Sequence, residues 1–281
     1  VAGAVNSTTT VGNNANIVAS VTGAVAATAT NVGDIATPGD FSTATATFSG
    51  NEGGFLNSAN TSGGTVNGTG NTDITAGNGA TISATVGITG AATATSTSGN
   101  GTANATGGSV YGFQDTGISV GASGSLTASL DADIAATSIN TGAPGTSANS
   151  TATANQTNAI GISGTGNSTV GNVVFGDGAT ITANAGTSAN RITTTASATG
   201  VTGAAGASAI QGTVAGIYDA ADGKITAGGD ASITGRGYAT DSATAFTTNG
   251  TSDAAAGTTL TAGISNATIT VGDEGTVKGF A

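Results

Sequence analysis

A short motif that returns six times constrains this chain more than any other feature. An apolar or Thr residue is followed three positions later by Gly. Two turn residues come next, then a small residue and, two positions on, an aliphatic. The first copy reads Thr9-Thr-Val-Gly12-Asn-Asn-Ala15-Asn-Ile17. The others are Ile74-Thr-Ala-Gly77-Asn-Gly-Ala80-Thr-Ile82, Ile118-Ser-Val-Gly121-Ala-Ser-Gly124-Ser-Leu126, Val173-Val-Phe-Gly176-Asp-Gly-Ala179-Thr-Ile181, Ile225-Thr-Ala-Gly228-Gly-Asp-Ala231-Ser-Ile233 and Ile269-Thr-Val-Gly272-Asp-Glu-Gly275-Thr-Val277. No copy needs a gap. Self-similarity of this kind marks repeat architectures, in which one unit cannot bury its apolar face alone and neighbours must stack.

The match continues downstream in five copies, through Thr28/Thr30, Thr93/Thr95, Thr137/Ile139, Ile192/Thr194 and Thr244/Phe246. The aligned block is therefore 22 residues long, while successive copies start 65, 44, 55, 52 and 44 residues apart. Gly77/Gly99 and Gly228/Gly250 repeat at the same interval of 22. Most copies also carry Gly before a large apolar residue ahead of the next start: Gly54-Phe55, Gly112-Phe113, Gly161-Ile162, Gly216-Ile217 and Gly263-Ile264.

Alternation places Ile82, Ile181 and Ile233 on one face of a strand and Ser or Thr on the other. These features predict an all-β chain: a β-solenoid, or parallel β-helix, of roughly 22-residue coils with inserted loops. It forms one domain over 1–281 with repeat starts near 9, 74, 118, 173, 225 and 269. Coils of that size stack about 13 deep into a rod roughly 60 Å long. The rival is an antiparallel, pilin-like β-sandwich in which each motif is a hairpin. Asn78-Gly79 and Asp177-Gly178 suit a type I′ turn, but Asn13-Asn14, Ala122-Ser123, Gly229-Asp230 and Asp273-Glu274 do not.

Composition supports the thin core that a solenoid needs. Only 7% of residues are charged and 4% aromatic, Gly takes 49 positions, and Cys, Met, Trp and His are absent. Leu, Ile, Val and Phe together make up about 17% of the chain. Without His or Cys there is no imidazole base, no thiolate and no ordinary zinc site. A net charge of −11 with four basic residues excludes the basic footprint of a nucleic-acid binder. Apolar runs are too short to span a bilayer. The first residue is Val, which reads as the mature end of a processed secreted protein or an excised segment of one.

Segments such as Gly223-Lys-Ile-Thr-Ala-Gly-Gly-Asp-Ala-Ser-Ile-Thr234 resemble the coils of filamentous-haemagglutinin-type secreted proteins and autotransporter passengers. The resemblance implies a right-handed parallel β-helix exported to a bacterial cell surface. The calcium-binding nonapeptide Gly-Gly-x-Gly-x-Asp of a related family is not present in the sequence.

The densest acidic clusters are Asp131 with Asp133 and Asp273 with Glu274. They are the metal candidates, and calcium, which takes converging oxygen ligands, is the one cofactor kept open. The bland reading is turn chemistry and solvation. As a catalytic pair, Asp131 and Asp133 are unpromising, being two apart on one face of a strand. Arg191, Lys224 and Arg236 lie in different copies, so no basic residue joins carboxylates in a shared motif, and no catalytic residue is expected. The Thr pairs evoke an ice-binding face, but Ile139, Ile192 and Phe246 interrupt them and favour an inward-facing or mixed strand. The expected function is thus a secreted structural protein at the cell surface that forms or decorates a fibre, sheath or adhesin stalk. It would assemble head to tail with identical subunits through uncapped edges, with surface glycans as a further partner class. An adhesive or ice-binding module comes second, and a polysaccharide-acting enzyme a distant third.

Overall fold

The computed structural model describes residues 2–5, 7–32, 41–48, 50–56, 72–97, 99–142, 148–164, 172–219 and 224–281. Among these residues the chain is all-β, every strand pairing is parallel, and the strands form three sheets. This is a parallel β-solenoid, and the antiparallel sandwich is excluded. The short sheet holds β2 (Thr8–Val11), β6 (Thr72–Ala76), β9 (Thr116–Val120), β12 (Val173–Phe175), β16 (Lys224–Ala227) and β20 (Thr268–Val271). The front sheet holds β3 (Asn16–Asn31), β7 (Thr81–Ser96), β10 (Ser125–Asn140), β13 (Thr180–Ala185) with β14 (Ile192–Thr202), β17 (Ser232–Gly237) with β18 (Ala239–Asn249), and β21 (Thr276–Phe280). The back sheet holds β1 (Ala2–Val5), β4 (Ser42–Thr47) with β5 (Asn51–Leu56), β8 (Gly101–Gln114), β11 (Ser150–Gly164), β15 (Ala205–Asp219) and β19 (Ser252–Ser265).

One coil runs short sheet, front sheet, back sheet, and each motif opens a coil. The coil is longer than the 22 residues expected from the sequence. Stacked partners are separated by 44 to 65 residues, as between Asn78 and Ala122 or Asn13 and Asn78. The stack therefore has six layers in its 6-stranded short sheet, not about 13. At about 4.8 Å per layer it rises about 25 Å, not 60 Å. The interval of 22 spans two corners of the same coil. Gly99, with φ +81°, turns the chain from the front sheet to the back one, 22 residues after the motif glycine Gly77.

The motif explains the first corner. Its second turn residue lies in the left-handed region in all six layers: Asn14, Gly79, Ser123, Gly178, Asp230 and Glu274. In the first five layers its N–H donates to a carbonyl of the next layer, for example Asn14 N to Asn78 O at 2.8 Å and Ser123 N to Asp177 O at 2.7 Å. Side chains extend the ladder, since Asn13 Oδ1 accepts from Asn78 N and Asn78 Oδ1 accepts from Ala122 N. The preceding glycine has a steric reason. A Cβ on Gly121 would stand 2.0 Å from Asn78 Oδ1 and 2.8 Å from its backbone N, and one on Gly228 would meet Asp177 in the same way. At Gly12 in the first layer, a Cβ would meet nothing within 4 Å.

Two cores result. Near the motif corner the three sheets enclose a wedge of large side chains. Ile74, Ile118, Val173 and Ile225 come from the short sheet, and Ile82, Leu126, Ile181 and Ile233 from the front. The back sheet adds Phe55, Phe113, Ile162 and Ile217, with the two Phe rings stacked at 5.1 Å. Beyond it the front and back sheets close on each other as a lobe lined chiefly by Ala, such as Ala94, Ala105, Ala136, Ala154 and Ala198. That lobe accounts for a chain poor in large apolar residues that still buries its backbone.

Candidate functional site

An irregularity of the front sheet gathers charged groups. In the third layer β10 runs unbroken, whereas the fourth layer splits into β13 and β14. Leu130 pairs with Ala185 and Asp133 with Thr193, so residues 186–192 bulge opposite Asp131 and Ala132. The bulge is pinned at both ends. Gly186, with φ +75°, donates to Leu130 O at 3.1 Å, and Ile192 N donates to Tyr238 O at 2.9 Å. Within it, Asn190 N donates to Thr187 Oγ1 at 2.9 Å.

The bulge lifts Arg191 to the surface beside the two carboxylates that the sequence singled out. Asp131, Asp133, Ala189, Asn190, Arg191 and Thr193 line an open groove of about 320 Å³. Thr193 donates its hydroxyl to Asp133 Oδ1. Arg191 Nη1 donates to Ala239 O at 3.3 Å, and its guanidinium lies 5.9 Å from the centre of the Tyr238 ring. Partial burial pushes the Asp131 carboxyl above its ordinary range, and the charge of Asp133 adds to the effect. The arrangement offers acceptors and a cationic donor on one exposed face. Such a set presents hydrogen-bond donors and acceptors to a polar ligand. Sequence reasoning had kept Arg191 apart from these acids because it lies in another repeat, and stacking of adjacent layers is what joins them.

The other acidic pair, Asp273 and Glu274, is the exposed turn of the sixth corner, where Asp273 O accepts from Asp230 N at 2.9 Å. Nothing brings it to the first pair. Among the described residues no three His, Cys, Asp or Glu side chains converge as metal ligands.

The bulge also corrects the Thr columns. Thr137 and Ile139 are stacked on Ser197 and Thr199, five residues beyond the Ile192 and Thr194 expected from the motif count. The columns read Thr28, Thr93, Thr137, Ser197, Thr244 and Thr30, Thr95, Ile139, Thr199, Phe246. They face outward, since the Ala residues between them fill the lobe and Phe246 is 59% exposed. Ile192 and Thr194 themselves point inward and are buried. Of the two expectations for these positions, the columns fit the mixed face and not the inward-facing strand, whereas Ile192 and Thr194, which lie outside the columns, do point inward.

No described helix is long and apolar enough to cross a membrane. Compared with known proteins, the chain matches no family model, no curated protein and no solved structure.

Proposed function

We propose that this chain is a structural segment of an extracellular surface fibre, sheath or adhesin stalk, and that its layers continue head to tail into those of identical subunits. The observation that carries this reading is the match between the two ends of the wedge. At one end Val11, Ala15 and Ile17 are only partly covered; at the other Ile269 and Val271 are, while Val277 is 44% exposed. Val11 and Val271 occupy one column of the stack, and Ile17 and Val277 another, so a further layer on either end meets the side chains it would meet within the molecule. Such contacts are heterologous and do not close, which gives open filaments. The terminal strands also present unpaired backbone groups of the kind that recruit further strands. The groove around Arg191 would serve as a lateral contact for surface glycans.

Negative-stain electron microscopy of the purified chain, with and without calcium, tests the proposal. Long fibres of uniform width are expected. Monodisperse short rods in both conditions would overturn it.

The outward Thr columns support a second reading, an adhesive or ice-binding face. Short rods that inhibit ice recrystallisation, and lose that effect on Thr95→Lys, would establish it in place of the first.

A further inference from the structure

The lobe changes character along the stack. At one inward position of the front sheet the successive layers carry Val25, Gly90, Ile134, Thr194 and Asp241. The facing column of the back sheet carries Gly107, Gln156, Gln211 and Thr258 in layers two to five. That the columns face each other follows from two contacts. A Cβ on Gly107 would lie 2.9 Å from Ile134 Cδ1, and Thr258 donates its hydroxyl to Asp241. An apolar interior thus becomes polar within a few layers.

The polar end is incompletely satisfied. Gln211 is fully buried, and neither its amide oxygen nor its nitrogen has a hydrogen-bond partner. Asp241 Oδ1 is likewise buried without a partner. The groups beside the Asp241 carboxylate are the hydroxyls of Thr258 and Thr194, with no cationic side chain among them. A buried amide or carboxylate left in this condition is strongly unfavourable, so the site calls for a further partner.

We propose that Asp241, Thr194, Thr258 and Gln211 form a calcium site inside the lobe. The proposal is independent of the fibre reading. Two carboxylate oxygens, two hydroxyls and one amide oxygen supply five hard ligands, and water completes the six to eight that calcium takes. The ion neutralises the one carboxylate of the lobe column and gives the Gln211 oxygen its missing partner. Among the described strands β21 pairs with β17, and β18, which carries Asp241, pairs with β14. The net charge of −11 raises the local cation concentration. With a single carboxylate the affinity falls in the weak extracellular range, with Kd on the order of 10⁻⁴–10⁻³ M.

Equilibrium dialysis of the full chain against radioactive calcium tests the proposal. One saturable site per chain is expected, weakened at least tenfold by the near-isosteric Asp241→Asn. Gln211→Leu should weaken it severalfold, and Asp131→Asn with Asp133→Asn should leave it unchanged. Calcium should also raise the thermal midpoint of the parent chain but not that of Asp241→Asn, with circular dichroism confirming that both are folded. The absence of saturable binding up to about 10 mM calcium would leave a lobe holding ordered water only and overturn the proposal. So would binding that survives Asp241→Asn and disappears with the Asp131 and Asp133 substitutions.

Discussion

The wedge and the lobe share the same coils, yet they are stabilised in different ways. In the wedge, stacks of Ile, Leu, Val and Phe fill a space enclosed by three sheets, and each layer buries large apolar area. In the lobe two sheets approach closely over Ala, so little area is buried per residue and the backbone ladders carry the structure. The lobe therefore tolerates what the wedge excludes. Its front strand is interrupted in the fourth layer, its interior admits Gln156, Gln211 and Asp241, and its outer face holds the groove at Arg191. Stability is concentrated at one edge of the coil and chemical variety at the other.

Substitutions that remove equal roles from the two regions would test this contrast. Ile181→Ala opens a fully buried cavity in the wedge and should destabilise by about 2–5 kcal/mol in urea denaturation. The corresponding loss in the lobe, Ala198→Gly, should be about 1 kcal/mol. Equal effects would refute the division. Corner packing comes next. Gly121→Ala forces a Cβ onto the backbone of the layer below and should be destabilising by about 1–3 kcal/mol, while Gly12→Ala, with nothing beneath it within the chain, should be near neutral in the unassembled chain. A large effect at Gly12 would mean that another layer stacks there in solution.

The smallest effect concerns Glu52 on β5, which is 2% exposed and has one carboxylate oxygen without a partner. Burial pushes its carboxyl up to about 7 from an ordinary value of 4.5. The folded chain thus holds this proton more tightly than the unfolded one. The stabilisation is fully present below about pH 4.5 and is lost as pH rises through about 7. Glu52→Gln should flatten that slope and, above pH 7, exceed the parent chain by on the order of 1 kcal/mol. A parent chain whose stability is constant across this interval would show that the carboxylate is solvated.

The same contrast decides what the sequence could reveal. The wedge columns were legible because each large residue keeps a fixed distance from a glycine that sterics demand: Ile82, Leu126, Ile181 and Ile233 after the motif glycine, Phe113, Ile162 and Ile217 directly after another. The lobe offers Ala inward and Thr outward, which alternates without a size signal. The true coil length was hidden there, and the distance from Gly77 to Gly99 passed for a layer repeat. The five extra residues of the bulge were also invisible, since neither strand around them carries a marker. Asp131, Asp133 and Arg191 are therefore visible as residues in the sequence, but their proximity is not. Gln211 and Asp241 escaped notice because a polar residue in a Thr-rich chain is unremarked until its layer is known.

The long offset between stacked partners governs how such a chain comes to fold. No strand can pair with its neighbour until the chain has advanced by at least 44 residues, and the first layer of the stack must span 65. Closing loops of that length is entropically unfavourable and makes the contact order high, so the first pair of coils is the slow event. Once two layers exist, their exposed edge is a finished mould in which each donor, acceptor and corner is already positioned for the next turn. Growth then proceeds by templating from an existing layer, and melting runs back along the same direction, one turn at a time.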